Sequence, residues 1–189
     1  MRDYLAATTG FDYAHTVDAA LAGTLQGLNA CVECCDRHAL PGRIALFWEG
    51  KDGRSATSTF TDLQDQAARF ANFLLAQGVK RGDKVAGLLP RTAELLVVVF
   101  ATWRIGAVYQ PLFTAFGPKA IEHRLNSSGA ALVVTDAVNR PKLAEVEGCP
   151  TIVTVTGAKG EGLVRGDFSF WAELPNYSNV CEPVLLGAD

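Results

Sequence analysis

Between Leu28 and Ala39 the stretch LNACVECCDRHA places Cys31, Cys34, Cys35 and His38 within eight residues, a donor set that raises metal binding or thiol redox chemistry. With Asn29 as N-cap and about 100° per residue, these four fall on one helix face with Val32 and Ala39, while Glu33, Asp36 and Arg37 take the other. A tetrahedral zinc site needs four ligands converging at about 2.0–2.3 Å, and successive turns of one helix supply only a pair. Cys149 and Cys181 would have to complete it, and neither lies in a CxxC hook. A reactive thiolate wants a helix N-terminus or a nearby cation, and Arg37 is placed on the opposite face. Thiols packed as small hydrophobes are the favoured reading, and no metal is expected.

The other familiar signatures are missing. No G-x-G-x-x-G follows a strand, and G-x-x-x-x-G-K-[ST], G-x-S-x-G and H-E-x-x-H do not occur. TGAKGEG, from Thr156 to Gly162, has its glycines at the wrong spacing for a phosphate cradle and reads as a surface loop. His15, His38 and His123 have no Ser or Cys partner that the sequence can place beside them.

The elements that must position any chemistry are clearer. IALFWEG and RSATSTF read as two strands around an Asp52-Gly53 turn. Thr61 and Gln64 form a capping-box pair, and Leu63, Ala67, Phe70, Ala71 and Leu74 follow at helical spacing until Gly78. KVAGLL is a short buried strand. TAELLVVVFATWR is apolar on every side but too long for a usual strand, and Gly106 stands where a C-cap belongs, so Ala93–Arg104 is expected as a buried crossover helix. AVYQPL completes a β-α-β unit with a right-handed crossover. Pro118 then opens a helix that shares Ile121 and Leu125 on one face and ends at Gly129. ALVVT, the short helix RPKLAEV and the strand TIVTV follow. The fold class expected is α/β, a mostly parallel sheet with helices on both faces, preceded by an N-terminal helix and a β-hairpin. Its strands lie near 84–89, 107–112, 131–135 and 151–155. Three segments result: an arm and amphipathic helix over 1–42, an α/β subdomain over 43–156, and an irregular tail over 157–189, in which FSFWAEL reads as one or two helical turns and the remainder holds no further strand–helix pair.

Composition narrows the function classes. The 189 residues suffice for one good core, and 49% hydrophobic with 20% charged residues is ordinary for a globular chain. A net charge of −3, with scattered Lys and Arg, offers no field for nucleic acid. The longest apolar run, Leu95 to Trp103, is about half a membrane span. MRDYLAATTGFDYAH lacks the apolar core of a signal peptide, so the five cysteines are expected reduced and the protein cytoplasmic.

The run GDKVAGLLPRTAELLVVVFATWRIGAVYQPLFTAFGPKAIEHRLNSSGAALVVTD, Gly82 to Asp136, closely resembles the amino-terminal part of AMP-forming acyl-CoA synthetases of the adenylate-forming superfamily. LNACVECCDRHA and RSATSTFTDLQDQAARFANFLLAQGVKRGD are similar to the acetyl-CoA synthetase branch, in which the D-R-H helix is scaffold. The resemblance runs from about Leu28 to Trp171. It implies a ligase that turns a carboxylic acid and ATP into an acyl-adenylate and pyrophosphate, then transfers the acyl group to CoA with release of AMP. ATP, CoA and Mg2+ are the implied cofactors of the full-length enzyme, with none held tightly by this chain, and a homo-oligomer is left open. Adenylation in that family needs a Ser/Thr/Gly-rich loop with a lysine to hold the ATP phosphates, and a later ribose-binding acid and catalytic lysine. None is found here, so the chain is expected to be an amino-terminal fragment, without first-step catalytic residues and inactive alone. The resemblance also implies that Phe113, Thr114 and Ala115 in LFTAFG and Arg140 in DAVNRPK border the CoA nucleotide. Phe113 would offer adenine an apolar face and Arg140 a fork for phosphate oxygens. The departure is at Thr114 and Ala115, where acetyl-type enzymes usually carry glycines. The alternative reading is a non-catalytic module that binds CoA, a nucleotide or a partner protein.

Overall fold

The structure is a computed structural model that describes residues 4–157 and 160–187. Two short helices, α1 (Tyr4–Thr8) and α2 (Tyr13–Ala20), lead to α3 (Ala30–Cys34), which continues as a 3-10 turn over Asp36–His38. The hairpin β1 (Ile44–Glu49) and β2 (Ser55–Thr59) then runs into α4 (Phe60–Ala76). The central unit follows as β3 (Lys84–Leu88), α5 (Ala93–Arg104), β4 (Val108–Pro111), α6 (Pro118–Ser128), β5 (Ala130–Asp136), α7 (Arg140–Leu143) and β6 (Thr151–Val155). A two-residue strand β7 (Phe168–Ser169) and α8 (Phe170–Glu173) close it. The α/β class, the hairpin and the four expected parallel strands are as read from the sequence.

The five strands are parallel in the order β4-β3-β5-β6-β7. Because side chains alternate along a strand, each central strand feeds two cores. Val85, Leu132, Val134 and Val153 face α4 and α5, where Phe70, Phe73, Val97 and Ala101 are all fully buried. Ala86, Leu88 and Val133 face the opposite way, onto Ile121, Leu125 and Leu143 of α6 and α7. Gly129 ends α6 in the left-handed conformation (φ 62, ψ 48), where glycine has no Cβ to clash.

Three expectations are corrected. The capping box of α4 is Thr59 with Asp62, not Thr61 with Gln64: Thr59 Oγ1 accepts from Asp62 N at 3.1 Å and Asp62 Oδ2 accepts from Thr59 N at 2.8 Å. The tail adds a strand to the sheet, since β7 pairs with β6 through Val153 and Thr154, while the helical turn expected in FSFWAEL is α8, whose Phe170 is driven into the core against Phe70 (centroids 4.9 Å apart). The Cys-rich segment is not one continuous helical face. Cys35 breaks it (φ −129, ψ −66), so Cys31 and Cys35 are fully buried, Cys34 is exposed, and Asp36 turns inward to pair with Arg104. Asn29 is the N-cap expected, with Oδ1 accepting from Cys31 N at 2.9 Å. Burial, and then the Asp36 carboxylate, push the Cys31 thiol well up and the Cys35 thiol to about 12, as suits packing groups. Among the described residues no group of three His, Cys, Asp or Glu side chains is placed to hold a metal ion. Among them, too, no helix is long and apolar enough to cross a membrane.

Candidate functional site

The exits of the strands determine where a ligand has room. β3 leads to α5 on one face of the sheet, whereas its neighbours β4 and β5 lead to α6 and α7 on the other, so the loops diverge above β3. Such a divergence at the carboxyl ends of parallel strands is where open α/β sheets take their ligands. A cleft of about 860 Å³ occupies this position. Its back is α5, through Leu95, Leu96 and Val99, and its floor is Gly87 with Tyr109 and Pro111. The loop Leu89–Thr92 forms one rim and Phe113–Ala115 the other.

The tip of the hairpin roofs it. Trp48 Nε1 donates to Arg91 O at 2.8 Å, so the indole fastens β1 to the loop after β3. A methyl on Gly50 would press into the indole at 2.8 Å, which shows how closely the ring folds over the turn. Lys51, Arg91 and Glu49 stand at the mouth, and the interior is largely apolar.

Of the four residues expected to border a nucleotide, three are on this cleft. Phe113 is 69% exposed, held edge-on against Phe116 with centroids 5.3 Å apart. Thr114 and Ala115 continue the rim, and Thr114 O accepts from Lys142 Nζ, which also donates to Asn139 Oδ1 at 2.9 Å. Lys142 thus ties the loop after β4 to the start of α7. Arg140 is elsewhere: it does not line the cleft and is 8% exposed on the α6/α7 side. Its Nε and Nη2 donate to the two Asp167 oxygens at 2.6 and 2.9 Å, and Thr154 Oγ1 donates to Asp167 at 2.8 Å. Hydrogen bonding to Asp167 holds the Arg140 guanidinium above its ordinary value despite burial. Burial alone would raise Asp167, and the bonds and charge of Arg140 with the Thr154 hydroxyl outweigh it, holding the carboxyl below the usual range. The fork read from the sequence as available to phosphate therefore has one edge on Asp167. The Asp167 partner was missed because it sits 27 residues further on, after a loop without periodicity.

Sequence reasoning also missed Tyr109, Trp48 and Arg91. A signal for Tyr109 exists in the sequence: Gly87 interrupts a buried strand, and an interior strand glycine marks a close approach of another group. In the loop Thr156–Gly162, residues 158 and 159 lie outside the described residues. Their neighbours Gly157 and Gly160 are joined by a turn hydrogen bond of 2.9 Å.

An α/β sheet with a cleft above its diverging strands has the architecture of a ligand-binding domain, and comparison with known proteins gives it a family. The pattern of the AMP-binding enzyme family matches residues 35–184, most of the chain, and the protein belongs to that family. The acetyl-coenzyme A synthetase of Sodalis glossinidius is 33% identical over 183 residues, and that of Burkholderia thailandensis 34% over 182. Each match covers 86% of this chain and 28% of the relative. A crystal structure of Brucella canis acyl-CoA synthetase superposes with a TM-score of 0.92 at 50% identity, covering 99% of this chain and 34% of that one. The chain thus spans about a third or less of the length of the relatives it matches.

Proposed function

We propose that this chain is the amino-terminal portion of an AMP-forming acyl-CoA synthetase, which joins a carboxylic acid to CoA through an acyl-adenylate at the expense of ATP. The observation that carries the reading is the likeness, over nearly the whole chain, to a protein solved as an acyl-CoA synthetase. The chain's own contribution is a wall for CoA. Phe113, exposed and braced by Phe116, presents a ring to adenine, and Thr114 and Ala115 offer backbone groups beside it. Arg140 meets a phosphate through the edge turned away from Asp167, sharing its charge between the two. The residues that handle ATP, and the Mg2+ that accompanies it, come from outside this chain, so the chain alone makes no adenylate.

The test is made in the full-length enzyme on the separate half-reactions. Phe113→Ala and Arg140→Ala are expected to weaken CoA in thioester formation and leave ATP–pyrophosphate exchange nearly unchanged. Loss of a charge-assisted phosphate contact is worth about 1.5–3 kcal/mol, roughly ten- to a hundredfold in affinity. Asp167→Asn separates a phosphate contact from a structural role, because it removes the brace and keeps the cation. If Asp167→Asn lowers CoA affinity as much as Arg140→Ala, or if both half-reactions fall equally, Arg140 acts only through the fold.

A further inference from the structure

The floor of the cleft holds a group that the nucleotide reading does not use. Tyr109 leans along β4 so that its ring lies over Gly87 of the neighbouring strand, and a methyl group at Gly87 would collide with its hydroxyl. The glycine is what lets an aromatic ring lie flat there. Among the described residues the hydroxyl has no hydrogen-bond partner, although the side chain is half-buried against the α4/α5 core and lines the cleft. Burial by itself raises its phenol to about 12, so the group stays protonated and can donate.

The hydroxyl opens onto the cleft, and a ligand that displaces water from it must bring an acceptor, since a polar group removed from water without a partner is costly. The rest of the cleft states what else that ligand carries. Trp48, Leu95, Leu96 and Val99 require an apolar body, and the volume of about 860 Å³ lies within the range of small-molecule sites. We propose that the cleft binds a small carbonyl compound, its apolar body packed between Trp48 and α5 and its carbonyl oxygen accepting a hydrogen bond from Tyr109 Oη. This site extends the proposed function inward from the shared Phe113–Ala115 rim, and rests on that reading only for the rim.

The experiment uses the full-length protein and two probes of one shape. Benzylacetone carries the carbonyl, and its isosteric alkene carries a methylene in place of the oxygen. Saturation-transfer titration of both against wild type and Tyr109→Phe reads the single hydroxyl, which the variant removes without disturbing an internal bond. Wild type is expected to prefer the ketone by about two- to tenfold, and Tyr109→Phe to lose that preference while binding the alkene as before. Equal affinities of wild type for the two probes, an unchanged preference in Tyr109→Phe, or no binding of either probe would each overturn the proposal. CoA titrated into the same samples keeps the two readings apart: absence of CoA binding counts against the nucleotide wall alone, and absence of ketone binding against the cleft alone.

Discussion

Asp167 shows how one side chain can brace several elements. It lies ahead of β7, takes both donors of Arg140 from the start of α7 and one from Thr154 on β6, and so joins three parts of the sheet's far edge. Only 4% of its side chain and 10% of Arg140 reach solvent, which makes removing one partner costly, because the other stays buried and unpaired. Asp167→Asn is expected to lower stability by about 3–5 kcal/mol at neutral pH, measured by denaturant unfolding. The pH dependence has a definite sign. A carboxyl held below its unfolded value stabilises the fold above that value, near 3.9 for Asp, and loses the contribution as pH falls through the folded value. The gap between wild type and Asp167→Asn should therefore be full at neutral pH and shrink in acid below about pH 4. A gap independent of pH would show that the carboxylate's charge is not what stabilises the edge. Arg104 presents a contrasting case: Nη1 donates to Cys181 O at 2.7 Å and Nη2 pairs with Asp36, yet its buried Nε has no partner among the described residues.

At the level of the elements, the cap of α4 separates what a pattern shows from what only coordinates show. Both Thr59 and Thr61 precede an apolar run with an acid or amide three residues on, and the sequence alone favoured the second. The backbone leaves the hairpin at Thr59 (φ −84, ψ 164), so the strand ends where the helix is capped, with no loop between them. Thr59→Ala should cost about 1 kcal/mol in thermal or denaturant unfolding, and Thr61→Ala, inside the first turn, only a few tenths. The reverse order would restore the sequence-based assignment. The same distinction explains why most of the fold was legible. α4 and α6 declare themselves by apolar spacing, and β3, β5 and β6 are short apolar runs between turn residues, so each follows from local chemistry. β7 was not legible, because two residues carry no period and their strand state is imposed by pairing with β6. The break at Cys35 was not legible either, since inward rotation of Asp36 answers to Arg104, 68 residues away. The site divides in the same way. Phe113, Thr114 and Ala115 stand on the cleft through local position after β4, whereas the Arg140 environment and the Tyr109–Gly87 contact depend on partners the sequence does not announce.

Across the whole molecule, the segment just before α3 and the tail are fastened to each other and to the crossover helix around one asparagine. Leu28 and Leu186 exchange backbone hydrogen bonds of 2.9 Å each, which brings the arm before α3 alongside the tail. Beside this bridge Asn29 is 2% exposed, and its Nδ2 is shared among Trp103 O at 2.9 Å, Arg104 O at 3.2 Å and Val184 O at 2.8 Å. Its Oδ1 meanwhile caps α3. At the end of α5, Trp103 O also accepts from Gly106 N at 3.0 Å and Arg104 O from Val184 N at 2.7 Å, and the Asn29 amide adds a donor to both, so one side chain serves the start of α3 and the end of α5. Gly106 just beyond, with φ 70, lets the chain turn under Val184. Asn29→Ala would remove the cap and leave carbonyls of α5 and the tail without this donor. Trp103 O and Arg104 O keep their backbone donors, so the loss is the cap, about 1 kcal/mol, together with the orphaned Val184 carbonyl, about 1–3 kcal/mol, still a severe substitution for its size. Asn29→Asp keeps the capping oxygen and removes the donor, and should therefore retain the start of α3 while releasing the tail. Amide hydrogen exchange reads the difference: in Asn29→Asp the Val184 and Leu186 amides, which donate to Arg104 O and Leu28 O, should lose protection ahead of the sheet, with Val85 and Val133 unaffected. Uniform loss of protection across sheet and tail would mean that arm, tail and core unfold as one unit and that Asn29 stabilises all of them alike.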